Sequence, residues 1–137
     1  MPSSTSPSSR SLSFLRHEGF LVDVVERWII GANVRKDLFG FGDLLACHLQ
    51  DRTITIVQAT SASNVAARLT KAKKLASLLI WLRSGGRFEV HGWSKDHSGK
   101  WIVRRVSVTG DELKTTELTP ARRRKSRKAE PTLFDDP

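Results

Sequence analysis

The chain has 137 residues, room for one domain of about 100 residues with tails and too little for several. Lys and Arg number 23 against 14 Asp and Glu, a net charge of +9, which puts nucleic acid or another polyanion first among partner classes. A single Cys47 excludes an intrachain disulfide, the four His lack zinc-ligand spacing, and the apolar run LASLLIWL is too short to cross a bilayer.

The excess charge is not only terminal, because residues 121–137 hold six bases and three acids and leave 17 bases against 11 acids on residues 1–120. The Ser/Pro/Thr-rich residues 1–9 read as a disordered leader without the apolar segment of a secretory signal. An intracellular protein is expected: cytoplasmic and nucleoid-associated, or nuclear if the source is eukaryotic. RSLSFLRHEG, with Leu12 and Leu15 three apart and Gly19 behind them, predicts a short helix from about Arg10. In FLVDVVERWII, Val22, Val24, Trp28 and Ile30 form a period-two file interrupted by Glu26, which predicts one strand with a carboxylate on a mostly buried face. Residues 31–42 then read as a turn-rich loop.

DLLACHL and TITIVQAT are separated by a hairpin-length connection and predict adjacent antiparallel strands. Ile54, Ile56, Gln58 and Thr60 share a face of the second strand. A helix follows, capped by Ser61 or Ser63 and running to about Arg83. Val65, Leu69, Ala72, Ala76, Leu79 and Ile80 make its apolar stripe, while Asn64, Arg68 and Lys71 make a polar flank. RFEVHGW and KWIVRRVSV supply two more strands. The order helix, three strands, helix, two strands predicts an α+β fold with a mixed sheet.

Asp43 heads the first hairpin strand and Gln58 stands near the end of the second, so antiparallel pairing makes them neighbours. A divalent metal such as Mg²⁺ takes one or two carboxylates and further hard oxygens, and can activate a water against a phosphodiester. Asp43 is the first candidate ligand, with the carbonyl of Gln58 and the carboxylate of Glu26 beside it. Asp37 is a weaker one, since its loop position fixes no face. Plainer readings stand alongside: a turn-closing Asp43, a hydrogen-bonded Gln58, an ion-paired Glu26, and a solvated helix face carrying Arg68, Lys71, Lys73 and Lys74. Trp93 and Trp101, interleaved with Lys95, Lys100, Arg104 and Arg105, allow either base stacking or core packing.

An Asp opening one hairpin strand, E-x-K or Q-x-K on the next and then a helix resembles the PD-(D/E)XK nuclease superfamily, especially its small resolvase-like and VRR-NUC-like members from phages and bacteria. The resemblance runs from KDLFGFGDLLA through VQATSASNVAARLTK to WLRSGGRFEVHGW and covers roughly residues 10–109. It implies a restriction-endonuclease-like α/β core over residues 10–118 and a Mg²⁺- or Mn²⁺-dependent endonuclease. Asp43 would be the metal aspartate, and Gln58 would take the place of the usual Glu. Thr60 stands where the lysine belongs, so Lys71 would replace it as a migrated ammonium. Asn64, Arg68 and Lys73 would hold DNA. The tail, residues 119–137, adds Arg122, Arg123 and Arg124 as phosphate-attracting bases. Within it EPTLF resembles the bacterial sliding-clamp-binding peptide, which makes Leu133 and Phe134 the expected clamp contacts. DNA is the expected main partner, a membrane is not expected, and homodimerisation is left open. The alternatives are a catalytically silent DNA-binding module and an adaptor working through the tail.

Overall fold

Residues 5–118 are described by the computed structural model. The period-two apolar segments form strands, and two of them, β5 (Thr53–Ser61) and β6 (Arg87–Lys95), are buried over most of their length. Both are covered on the two sheet faces, which is why neither shows a solvated file. A six-stranded mixed sheet runs in the order β1-β4-β5-β6-β7-β8, where β1 is Leu21–Val24, β4 Leu44–His48, β7 Trp101–Thr109 and β8 Lys114–Leu118. All pairs are antiparallel except β5 with β6, which the helices α2 (Val65–Lys73) and α3 (Ala76–Arg83) connect as a crossover. The fold class is α+β with a mixed sheet, as expected. No helix among the described residues is long and apolar enough to cross a membrane.

Each face has its own core. Ile56, Phe88, Val90, Val106 and Val108 meet Val65, Ala72 and Leu78 of the crossover helices. On the other face Val22, Leu44, Ala46 and Val57 meet Leu15 of α1 (Pro7–His17). Gly92 on β6 lets the crossover begin close to the sheet, because a Cβ there would stand 2.3 Å from a Val65 methyl and 3.0 Å from Ala62 Cα.

Four local expectations are corrected. The first helix starts at Pro7, capped by Ser6 through a bond from the Ser9 amide, so residues 7–9 are helical rather than part of a leader. The predicted strand over FLVDVVERWII ends at Val24, and Trp28 and Ile30 lie outside the core in a separate hairpin, β2 (Arg27–Ile29) with β3 (Val34–Lys36). The long helix is two helices, broken at Lys74 and Leu75. The break shifts the buried stripe, so Leu78 is fully buried and Ile80 exposed. Neither Ser61 nor Ser63 caps a backbone amide; their hydroxyls bond each other at 3.2 Å.

A buried polar network ties α1 to the sheet. Glu89, His91 and Trp93 project from one face of β6, and the Trp93 Nε1–H donates to Ser11 Oγ at 2.9 Å. Ser11 Oγ lies 2.9 Å from His91 Nδ1, and His91 Nε2 lies 2.9 Å from Glu89 Oε1. Arg105 closes the chain with a bidentate pair to Glu89 at 3.0 and 3.1 Å. Burial depresses the basicity of His91. Burial works to raise the Glu89 carboxyl, but the His91 hydrogen bond and the Arg105 charge outweigh it and hold the group below its ordinary value. Ser11→Ala leaves two buried polar groups without their partner, and a loss of about 2 kcal/mol in denaturant unfolding is expected.

Candidate metal centre

The stretch LFGFG makes the site. Leu38 and Gly42 form an antiparallel bridge, with Leu38 N donating to Gly42 O at 2.8 Å and Gly42 N to Leu38 O at 2.9 Å. Phe39 (φ 56°) and Gly40 (φ 90°) take the left-handed conformations that reverse the chain between them. One residue further out on each arm stand Asp37 and Asp43, so the turn faces two carboxylates across a strand pair, where like charges are unfavourable. Gly42 is required by packing: a Cβ would lie 2.4 Å from Cγ2 of the fully buried Ile56. Gly42→Ala is expected to cost about 1–3 kcal/mol in denaturant unfolding, through overpacking.

Asp43 is then fixed from several sides. Its N–H donates to Val57 O at 2.9 Å, its carbonyl accepts from Val25 N at 2.9 Å, and its Oδ2 accepts from Ala59 N at 2.9 Å. The bonds from Val25 and from Glu26 N at 3.3 Å bring the short segment between β1 and β2 against Asp43. Glu26, Asp37 and Asp43 consequently offer carboxylate oxygens that all lie within 4.8 Å of one another, Asp43 buried and the other two half-buried. Continuing the β4–β5 register by one residue places Gln58 opposite Asp43, and its Nε2–H donates to Asp37 Oδ2 at 3.0 Å. The sole cation paired to the cluster among the described residues is the exposed Arg35, 3.7 Å from Glu26.

This crowding pushes the Asp43 carboxyl from its ordinary 3.8 up to about 7. Burial is the main cause. The Ala59 amide opposes it, and the charges of Asp37 and Glu26, with a hydrogen bond between the Asp37 and Asp43 carboxyls, add to it. A cleft of about 930 Å³ opens beside the cluster, lined by Glu26, Asp37, Arg27 and Lys36. The donor set is the hard-oxygen kind that Mg²⁺ and Mn²⁺ take, so the residues fit such an ion.

The predicted residues divide accordingly. Asp43 and Glu26 converge, Asp37 joins them, and Gln58 meets the cluster through its NH₂ on Asp37. Thr60 is buried. Lys71 is exposed on α2, and no side-chain hydrogen bond or ion pair links it to the acids among the described residues. Asn64 is exposed, while Arg68 and Lys73 are half-buried on the same crossover. Trp93 is core, as the packing alternative has it, whereas Trp101 is partly exposed beneath the Arg10 guanidinium, 3.6 Å from its ring centre. Arg122, Arg123, Arg124, Leu133 and Phe134 lie outside the described residues. Comparison of the chain with protein-family models, with curated proteins and with solved structures finds no match.

The sign of the Asp43 shift fixes a pH dependence. A carboxyl raised in the fold favours folding fully below about pH 4, where both states are protonated, and that advantage is lost as pH rises through about 7. Without metal, wild type is expected to lose up to about 4 kcal/mol relative to Asp43→Asn between pH 4 and pH 8. The asparagine Oδ1 can still accept from Ala59. Denaturant unfolding of both proteins across that range checks it, and the difference between them cancels the opposite trends of Glu89 and His91.

Proposed function

We propose that the protein is a divalent-metal-dependent phosphodiesterase acting on DNA. The observation that carries this reading is the three-carboxylate cluster held at a groove that basic residues also line. Burying one acid among two others raises its proton affinity and lowers stability at neutral pH, which a bound dication reverses. Glu26, Asp37 and Asp43 would hold Mg²⁺ or Mn²⁺, and Gln58 would orient Asp37 through its NH₂. The ion would supply charge neutralisation and an acidified water. Arg27 and Lys36 would draw the phosphate backbone into the groove. The net charge of +9 favours a polyanionic substrate. The order of an Asp-headed strand, an antiparallel partner carrying Gln58 and then a helix is the order on which the resemblance to PD-(D/E)XK nucleases rests.

The ammonium group of that chemistry has two candidates. Lys71 is the one the resemblance points to; Lys36 is the one that lines the groove. If Lys36 serves, Lys36→Ala lowers cleavage by a factor on the order of 10² to 10³ and Lys71→Ala leaves it near wild type. The opposite pattern assigns the role to Lys71.

A second reading is favoured by one feature. Thr60 cannot act as an ammonium, and no lysine side chain bonds to the acids among the described residues. A DNA-binding module without hydrolysis would have this arrangement. Plasmid, branched and single-stranded DNA incubated with Mg²⁺ or Mn²⁺ separate the two, beside an Asp43→Ala control. Cleavage lost in the control supports the enzyme, and unchanged DNA with intact binding supports the module. A metal-induced rise in melting temperature, absent in Asp43→Asn, is expected for the metal site in either case.

A further inference from the structure

The β2–β3 hairpin is not needed to complete either core. Its strands pack on each other, and neither has a substantial interface with another element. It exposes Trp28 by 56%, Ile30 by 90% and Val34 by 51%. A small protein that displays three large apolar side chains on one projecting ribbon has left them for a partner. Residues 27–36 also contain Arg27, Arg35 and Lys36 and no acid. Arg27 and Lys36 are direct cross-strand partners, an arrangement unfavourable by itself and favourable around an anion.

The position of the hairpin says which anion. Arg27 and Lys36 line the groove of Glu26 and Asp37, and Arg35 reaches Glu26 at 3.7 Å. Trp28 and Arg35 line an adjoining cleft of about 290 Å³ against the start of α1. By the register Arg27 and Lys36 stand on one face of the ribbon and Trp28 and Arg35 on the other. The two clefts meet at Glu26 and Arg27, so a backbone in the carboxylate groove meets the cationic pair and a base turned out over that shared edge meets the indole. Phosphates satisfy the arginines and leave Trp28 and Ile30 uncovered. The part of a nucleic acid that covers an indole is a base face, which is available where bases are unpaired or unstacked.

We propose that the β2–β3 hairpin is a wing that stacks Trp28 on an unpaired base of the DNA held in the carboxylate groove, giving the protein a preference for branched or single-stranded DNA over intact duplex. This rests on the reading of that groove as a DNA site.

Fluorescence anisotropy of the full chain, in Ca²⁺, with labelled duplex, single-stranded and branched DNA tests it, alongside cleavage in Mg²⁺. Wild type should bind unpaired DNA more tightly than duplex. Trp28→Ala with Ile30→Ser should weaken binding to unpaired DNA roughly 5- to 100-fold, the range for one lost stack, and leave duplex binding unchanged. Trp28→Phe should restore most of that affinity, and Arg27→Gln should lower the salt slope by roughly one on either substrate. Melting curves matching wild type show that these surface variants fold. Wild-type affinity in the double variant, no DNA binding by wild type, or loss of a dimer with DNA affinity unchanged would each overturn the wing. Preferential binding without cleavage removes the phosphodiesterase reading and keeps the wing; cleavage with no effect of the double variant does the reverse.

Discussion

The bridge between Leu38 and Gly42 is the constraint on which the site depends. It turns two aspartates six residues apart in sequence into facing neighbours, and the backbone bonds around Asp43 then pull Glu26 in beside them. Core packing accounts for the turn, through the buried Phe41 and the close fit of Gly42 on Ile56, and leaves the charge of the two residues that flank it unexplained. A chain selected only for folding would place a neutral or oppositely charged residue across from Asp43. Instead the turn is locked by Gly42 against a fully buried isoleucine, so the acids are held in place against their own repulsion.

The molecule contains a control for this argument. The Ser11–His91–Glu89–Arg105 network also buries ionisable groups, and its serine, histidine and carboxylate have the types and order of a nucleophilic triad. Yet Ser11 and His91 are wholly inaccessible, the serine oxygen is occupied by the Trp93 indole, and the carboxylate is neutralised by a bidentate arginine. Each of these groups has its partner, and the network fastens α1 to the sheet, which is the work of a satisfied buried network. The carboxylate cluster is the reverse case: among the described residues three acids share one amide donor from Gln58, one backbone donor from Ala59 and one exposed guanidinium 3.7 Å from Glu26. Charge deficit, rather than burial, separates the candidate site from structural polarity.

Part of this could be read from the chain alone. The short connection between DLLACHL and TITIVQAT forces antiparallel pairing, and pairing alone puts Asp43 near Gln58. Asp37 can be named from the sequence only as a weaker candidate, because its face depends on the reversal at Phe39 and Gly40, although two glycines alternating with two phenylalanines are themselves a turn signal. Trp28 and Ile30 continue the alternation of Val22 and Val24, and periodicity cannot reveal that the strand has ended and a second sheet begun. The break at Lys74–Leu75 involves neither Gly nor Pro, so nothing local marks it; only the slip of burial from Ala72 to Leu78 betrays it. RFEVHGW reads as a strand but not as a polar face, and Ser11, which completes the network of Glu89, His91 and Trp93, is 80 residues away from His91.

The charge pattern has a consequence for the proposed activity. A net charge of +9 would favour the approach of the proposed DNA substrate, while three clustered acids would repel a phosphate at the one point where chemistry would occur. A dication between the acids would change the sign of that point, so on the proposed reading metal and DNA would favour each other's binding, and by linkage the coupling would act equally in both directions. The same ion would compete with the proton that burial and the neighbouring acids hold on Asp43 near neutrality. Arg27 and Lys36 on the hairpin, outside the cluster yet on the rim of its groove, would attract the polyanion without neutralising the acids that would hold the metal. Among the described residues only Arg35 trespasses, at 3.7 Å from Glu26, and its exposed guanidinium would be able to move from the carboxylate to a phosphate if an ion took its place.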